Sequence, residues 1–417
     1  MSTDWKTYEL GTLLPYEQPT AYIVESTDYN DDYPTPVLTA GKSFIIGYTN
    51  ETSGIYKSLP VIIFDDFTTS CQYVNFPFKV KSSAMKILSP NTELVLPKFI
   101  YYRMKVIQFD HSTHKRYWIQ QYSKIKVKVP SIPEQERIVS KIEELFSKLD
   151  ASVAELQTAK EKLKVYRQAV LKEAFEGNLS KRWRGLHNIS PQDDFLSICK
   201  RHQCFKDTSG DENELKLDLP DGWLKVRIGD VFDVEVGATP KRSVPEYWNG
   251  NINWVSSGEV HFNTITETKE RITESGLANS STNLHPVGTV MLAMIGEGKT
   301  RGQAAILNID AAHNQNTAAI LVSQTPCEPK YIYYFLLLNY ENTRRVGSGN
   351  NQKALNKERV RALRFPFTSF KEQKVIVEGI ESRLSVCDSI EQTVDTSLQQ
   401  AEALRQSILK QAFEGGL

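Results

Sequence analysis

One long amphipathic segment is written twice in this chain, and nothing else in its 417 residues limits the fold so strongly. The first copy begins Ile132-Pro133-Glu134-Gln135 and ends Leu171-Lys172-Glu173-Ala174-Phe175-Glu176-Gly177. The second begins Lys371-Glu372-Gln373 and ends Leu409-Lys410-Gln411-Ala412-Phe413-Glu414-Gly415. Glu134 and Glu372 are 238 positions apart, as are Ala174 and Ala412, so the repeat is gap-free. A repeat of this kind sets the architecture before any single motif does. Apolar residues of the first copy fall at Ile138, Ile142, Leu145, Leu149, Leu156, Ala159, Leu163, Tyr166 and Val170, with Ser152 in the missing place. Steps of four and three make a heptad seam. The second copy carries Ile376, Ile380, Ile390, Val394, Leu404 and Ile408 at matching places, and breaks the seam at Arg383. Pro133 suits a first helical turn and Gly177 a left-handed C-terminal cap. About 44 residues at ~1.5 Å each give a rod of roughly 65 Å. A lone apolar stripe has nothing to bury against, so the two helices are expected to pack antiparallel across a pseudo-two-fold axis. The alternative is that each packs on its own globular domain.

The fold class expected is α+β. Two globular domains of twisted β-sheet with short helices are joined by two long antiparallel coiled-coil helices in an internal repeat. The boundaries read as a first domain over 1–131, a long helix over 132–178, a polar connector over 179–220, a second domain over 221–370 and a second long helix over 371–417. Strand-like runs in the first domain include Ser43–Ile46, Val61–Phe64, Phe78–Lys81 and Ile125–Val129, with a helix over Pro97–Phe109. The second offers Ile252–Val255, Val290–Met294 and Ala318–Val322. Arg182-Trp183-Arg184 is placed to clamp the end of the first long helix. The domains repeat weakly. Pro97-Lys98-Phe99-Ile100-Tyr101-Tyr102 matches Pro329-Lys330-Tyr331-Ile332-Tyr333-Tyr334 at an offset of 232, and Trp5 with Leu10-Gly11 matches Trp223 with Ile228-Gly229 at 218. Insertions thus gather in loops while the rods keep one length.

Formal net charge is zero, but the charge is patchy. Residues 33–130 hold 13 Lys or Arg against 5 Asp or Glu, and residues 299–371 hold 11 against 4. Such patches suit a polyanion even when the total is neutral. The five cysteines, Cys71, Cys199, Cys204, Cys327 and Cys387, are odd in number and scattered, which points to a reducing compartment. Met1–Lys6 has no apolar leader, and the longest apolar run, Tyr331–Leu338, is too short to span a bilayer. The expected location is the cytoplasm.

Several motifs carry chemistry on paper. Ala293-Met294-Ile295-Gly296-Glu297-Gly298-Lys299-Thr300 fits a loose phosphate loop with Ala at the first glycine, but an apolar strand-like run follows where a helix should open. The preferred reading is a strand-to-strand loop offering Lys299, Thr300 and Arg301 to DNA. Cys199, His202 and Cys204 lie close together, but a structural zinc site wants four ligands, His187 is the only other nearby candidate and there is no second cysteine pair, so no metal is expected. Gly347–Lys353 after Arg344-Arg345, and the run His313-Asn314-Gln315-Asn316, are rich in side chains that pair with base edges. Candidate DNA contacts in the second domain are Thr239, Lys241, Arg242, Lys299, Thr300, Arg301, Asn314, Gln315, Asn316, Arg344, Arg345, Ser348, Asn350, Asn351, Gln352 and Lys353. In the first they are Lys42, Tyr48, Asn50, Tyr56, Lys57, Thr68, Thr69, Tyr73, Lys115, Arg116 and Tyr117. Catalysis is not supported. There is no Asn-Pro-Pro-aromatic tetrad, and Glu-x-Lys triplets at Glu214, Glu267, Glu328 and Glu372 recur too freely to mark a nuclease centre.

With Pro133-Glu134-Gln135, Glu372-Gln373, the two Leu-Lys-x-Ala-Phe-Glu-Gly ends, Leu219-Pro220-x-Gly222-Trp223, Ile228-Gly229-Asp230-Val231 and Gly237-Ala238-Thr239-Pro240 with Tyr247-Trp248, essentially the whole chain resembles the specificity subunit of type I restriction–modification systems. The second rod departs from the pattern by lacking the proline before Glu372-Gln373. The resemblance implies a non-catalytic DNA-recognition subunit whose two target-recognition domains read the halves of an interrupted site. It implies helices that space the halves and dock two methyltransferase subunits. Motor–nuclease subunits would join them, and phage proteins that mimic DNA form a further partner class. S-adenosylmethionine, ATP and Mg would bind the partner subunits, leaving this chain without a cofactor. The competing reading is a coiled-coil scaffold with two protein- or glycan-binding domains, and a third is an active enzyme.

Overall fold

The computed structural model describes residues 5–41, 43–109, 116–199, 217–296, 298–345, 355–414 and 416. It divides into two compact units, Met1–Ala159 with Val394–Leu417, and Lys160–Thr393. Each unit holds one globular domain and part of both long helices.

In chain order the first domain has β1 (Lys6–Glu9), α1 (Leu10–Leu13), β2 (Tyr16–Glu17), β3 (Thr35–Leu38), β4 (Ile45–Thr49), β5 (Val61–Asp65), β6 (Cys71–Val74), β7 (Lys79–Val80), β8 (Met85–Leu88), α2 (Pro97–Lys105), α3 (Tyr117–Gln120) and β9 (Lys126–Val129). The long helix α4 (Ile132–Phe175) follows, then the connector helices α5 (Lys181–Arg184) and α6 (Pro191–Ile198). The second domain has β10 (Leu224–Arg227), α7 (Ile228–Val231), β11 (Val234–Val236), β12 (Trp248–Val255), β13 (Asn263–Ile265), β14 (Glu270–Ile272), α8 (Glu274–Ala278), β15 (Val290–Ala293), β16 (Ala304–Leu307), β17 (Ala311–His313), β18 (Thr317–Ile320), α9 (Pro329–Leu338), α10 (Tyr340–Arg345), α11 (Lys357–Ala362) and β19 (Arg364–Phe367). The second long helix is α12 (Phe370–Glu414).

The two domains share one topology although their sequences repeat only weakly. In the first, the sheet order is β2-β8-β5-β6, all antiparallel, beside a sheet β4-β3-β7 in which β3 and β7 run parallel. In the second, β11-β18-β15-β16 repeats the first order and β14-β12-β17 the second, again with one parallel pair, β12 and β17. The second domain adds β13, parallel to β16. A short antiparallel ribbon, β1 with β9 or β10 with β19, leads each domain into its long helix. Val61-Ile62-Ile63-Phe64 is buried on both faces, as a central strand of β-branched and aromatic residues should be.

Each unit's core reaches from the domain onto both helices. In the first, Leu10, Phe99, Ile100, Trp118 and Val127 pack with Ile138, Val139, Ile142 and Phe146 of α4 and with Ile408, Leu409 and Ala412 of α12. Arg405 lies 4.5 Å above the Phe146 ring and pairs with Asp150, so the helices run antiparallel there. In the second, Leu171, Ala174 and Phe175 pack with Ile376, Val377, Ile380, Tyr331 and Phe335. Arg167 reaches Asp388 at 2.7 Å and Glu391 at 2.9 Å, again antiparallel. Gly177 adopts φ +74°, and Asn178 N–H bonds to the Glu173 carbonyl at 2.9 Å, the left-handed cap expected of it. Arg184 clamps that end, donating to the Gly177 carbonyl at 3.3 Å.

The structure corrects several expectations. The strand expected at Ser43–Ile46 runs from Ile45 to Thr49. The helix expected to reach Phe109 ends at Lys105, where Val106 N–H closes back on the Arg103 carbonyl and Val106 and Ile107 turn into the core. The seam is not continuous. Tyr166, Ile390 and Leu404 are 48, 44 and 50 % exposed. Leu145, Leu149, Leu156 and Leu163 are half-buried. An α-helix turns every 3.6 residues, so a seven-residue stripe drifts by about 20° per heptad, and positions that keep the rhythm are not all covered: Cys387 and Val394 are buried while Ile390 between them is exposed. Ile142→Ala is therefore expected to lower the unfolding free energy by roughly 2–5 kcal/mol and Leu404→Ala by less than about 1 kcal/mol, as read by denaturant titration.

Candidate nucleic-acid interface

In the second domain the chain between β11 and β12 forms a braced polar loop. Gly237 leaves no room for a side chain, since a Cβ would sit 1.9 Å from the His313 carbonyl. Ala238 N–H bonds to that carbonyl at 3.0 Å. Two indoles hold the loop from beneath, Trp254 Nε1 donating to the Ala238 carbonyl at 3.1 Å and Trp248 Nε1 to that of Lys241 at 3.3 Å. Thr239 Oγ1 donates to Gln315 Oε1 at 2.6 Å, which joins two of the candidate segments. Lys241 and Arg242 project from the loop, exposed.

Beneath lies a buried histidine pair. His285 Nε2 and His313 Nε2 stand 3.1 Å apart, one donating and the other accepting, which requires the accepting ring to be neutral. His313 Nδ1 meets Thr317 Oγ1 at 2.8 Å. Burial pushes the His313 pKa down to about 3, with the neighbouring His285 adding to the effect, and burial lowers that of His285 despite Glu235 beside it. His313 was expected in a base-reading run, yet it and Asn314 are buried. Asn314 Oδ1 accepts from Asn316 N–H at 3.0 Å and from Thr317 Oγ1, closing the turn from β17 to β18. Gln315 is exposed and Asn316 half-exposed.

The hairpin between β15 and β16 carries Lys299, Thr300 and Arg301, so no helix follows the lysine as a phosphate loop requires. Gly302, at φ +86°, makes the return. Tyr340 Oη donates to the Lys299 carbonyl and Arg344 to that of Gly298, which fixes the hairpin to α10. Thus 299–301 and Arg344, chosen separately from the sequence, are neighbours. Arg345 ends α10. Lys42, Lys115, Ser348, Asn350, Asn351, Gln352 and Lys353 lie outside the described residues, as do His202 and Cys204.

In the first domain Tyr48, Asn50, Lys57, Thr68, Thr69, Tyr73 and Arg116 are exposed or half-exposed. Tyr56 and Tyr117 are corrections, at 4 % and 2 % exposure. Tyr56 packs its ring on Tyr22 and Phe78, and Tyr117 packs on Phe109. A tyrosine's apolar body fits a core as readily as a surface.

Sequence reasoning missed the joints between domain and helix. Lys98 pairs with Glu143, and Lys330 pairs with Glu381. Arg405 with Asp150 repeats Arg167 with Asp388, each residue displaced by 238 positions. That offset was the available signal. It marks polar residues as well as apolar ones.

The histidine pair gives an acid test. In the unfolded chain His313 titrates near the ordinary ~6.5, above its folded value, so the folded form loses stability as pH falls from ~6.5 toward 3. His313→Gln should flatten that acid limb in chemical denaturation between pH 7 and 4.

A type I restriction modification DNA specificity domain matches residues 2–161 and again 220–400. The chain is 32 % identical over 393 residues to the EcoR124I/EcoR124II specificity subunit of Escherichia coli, covering 91 % of this chain and 87 % of that one. It is 24 % identical to the EcoDI specificity subunit of Escherichia coli, covering 100 % and 89 %. A solved structure described as showing complex assembly and conformational transition of the type I R-M system superposes with a TM-score of 0.68 at 16 % identity, covering 100 % of this chain and 99 % of that one. The HsdS subunit from Thermoanaerobacter tengcongensis gives 0.53 at 17 %, covering 100 % and 98 %. These structures support the fold, and the scaffold reading is not favoured. No helix among the described residues is long and apolar enough to cross a membrane. The two matched domains span most of the chain, and the chain belongs to the family of type I restriction–modification DNA specificity subunits.

Proposed function

We propose that this chain chooses the DNA site for a type I restriction–modification complex and performs no chemistry itself. The observation that carries the proposal is the doubled domain, one topology built twice, each copy followed by a long helix. Two such readers suit a split site, one half to each domain. In the second domain the exposed or half-exposed set Thr239, Lys241, Arg242, Lys299, Thr300, Arg301, Gln315, Asn316 and Arg344 is offered for contact, with Tyr48, Asn50, Lys57, Thr68, Thr69, Tyr73 and Arg116 in the first. Arginine and lysine would hold phosphates, and amides and guanidinium groups would read base edges. The long helices would set the distance between half-sites and seat two methyltransferase subunits, with motor–nuclease subunits completing the assembly. S-adenosylmethionine, ATP and Mg belong to those partners in this reading, and the complex acts in the cytoplasm. A phage protein that imitates DNA charge would compete for the same faces.

The test is co-expression with a type I methyltransferase subunit and mapping of methylated adenines. Exchange of residues 221–370 for those of a relative is expected to change one half of a split motif and leave the other intact. Stable assembly without site-specific methylation would overturn the proposal. Binding should also weaken steeply with salt, as phosphate contacts release counterions.

A further inference from the structure

Arg242 is held more carefully than an exposed arginine needs to be. Its guanidinium lies 4.0 Å from the Trp248 ring centre and 5.3 Å from that of Trp254. Its Nη2 donates to Glu270 Oε2 at 2.9 Å, and Nη1 donates to Glu270 Oε1. Both partners of this pair are more than a third exposed, where an ion pair adds little stability. The loop that carries Arg242 is itself fixed by the indole N–H groups of the same two tryptophans.

We infer that Arg242 reads a guanine in the half-site recognised by the second domain, with Glu270 and Trp248 as its positioning residues. The inference rests on the proposed function and names one contact within it. Glu270 takes one N–H from each terminal nitrogen. The Nε–H and the outer Nη–H beside it, which have no partner among the described residues, form a side-on fork. Guanine presents two acceptors, N7 and O6, in the major groove, and a planar fork of two donors fits them. The neighbouring Gln315 uses its Oε1 on Thr239, which leaves its amide hydrogens as further donors beside the fork. Adenine needs a donor and an acceptor side by side, so it fits this surface less well. A backbone phosphate is also an acceptor. It is disfavoured because the Glu270 carboxylate cancels the arginine charge and repels an anion, whereas a neutral base edge needs only the hydrogen bonds.

The test uses the complex with its methyltransferase subunits. Methylated motifs are mapped for wild type, Arg242→Ala, Arg242→Lys and Glu270→Gln, and affinity is measured on cognate and scrambled duplexes across a salt series. Both arginine variants are expected to relax one G·C position in one half-site. Cognate affinity should fall about 10- to 100-fold, and in Arg242→Lys, which keeps the charge that offsets Glu270, affinity for scrambled DNA and the salt slope stay unchanged. Glu270→Gln should raise binding to scrambled DNA and steepen the salt slope by about one ion. Intact reading at the remaining positions of the same half-site shows that the variants' second domain folds. An unchanged motif in Arg242→Ala overturns the inference. So does a wild-type motif and cognate affinity in Arg242→Lys, the mark of a phosphate contact, which needs the charge and not the fork. A wild-type complex that methylates no split motif would instead sink the proposed function.

Discussion

Each unit depends on one buried glutamine. Gln135 is fully buried at the start of α4, where Nε2 donates to the Leu94 and Pro130 carbonyls at 3.1 and 2.9 Å and Oε1 accepts from Leu96 N–H at 2.8 Å. Gln373 does the same at the start of α12, donating to the Thr368 carbonyl at 2.9 Å and accepting from Glu328 N–H at 3.1 Å. One carboxamide thus ties three things: the exit of the domain's ribbon, the entry of α2 or α9, and the first turn of the long helix. A buried amide with its acceptor and donors engaged has one orientation that satisfies it, so it fixes geometry more than it adds bulk. The helices α2 and α9 then bring Lys98 and Lys330 to Glu143 and Glu381, and their aromatic residues into the shared cores.

Around that common joint the two copies have drifted. Glu372, fully buried, accepts from Ser180 at 2.7 Å, Arg184 at 2.6 Å and Trp223 at 3.1 Å, and also from Thr368. It welds the connector to the second helix. Its counterpart Glu134 pairs with Arg137 on its own helix instead, at 2.8 and 2.9 Å, and Pro130 stands where the second copy has Thr368. The same backbone plan therefore tolerates a buried charge hub in one copy and a solvated pair in the other. What the copies share is the geometry of attachment.

The sequence made the helices and their repeat legible because a gap-free offset and a heptad stripe are local patterns. The shared domain topology was not legible. Strand pairings such as β3 with β7 or β12 with β17 join residues far apart, and only Pro97–Tyr102, Pro329–Tyr334 and the opening tryptophans retained a trace of the repeat. Candidate contacts were legible as loops and less so as surfaces. Lys241, Arg242, Lys299 and Gln315 are exposed, but Tyr56, Tyr117, His313 and Asn314 went inward. Tyr, His and Asn serve a core or a loop equally well once their polar atoms find partners, and those partners come from other segments. Ile390 and Leu404 show the converse: they kept the heptad rhythm and remained exposed.

The proposed function makes the long helices rulers between two independent readers. The most direct measurement is the number of base pairs between the methylated half-sites when one heptad is inserted at matching positions in both α4 and α12. Seven residues add about 10 Å of helix, roughly three base pairs of B-form DNA. The account predicts unchanged half-site sequences separated by about three more base pairs. Unchanged spacing, with methylation intact, would contradict it.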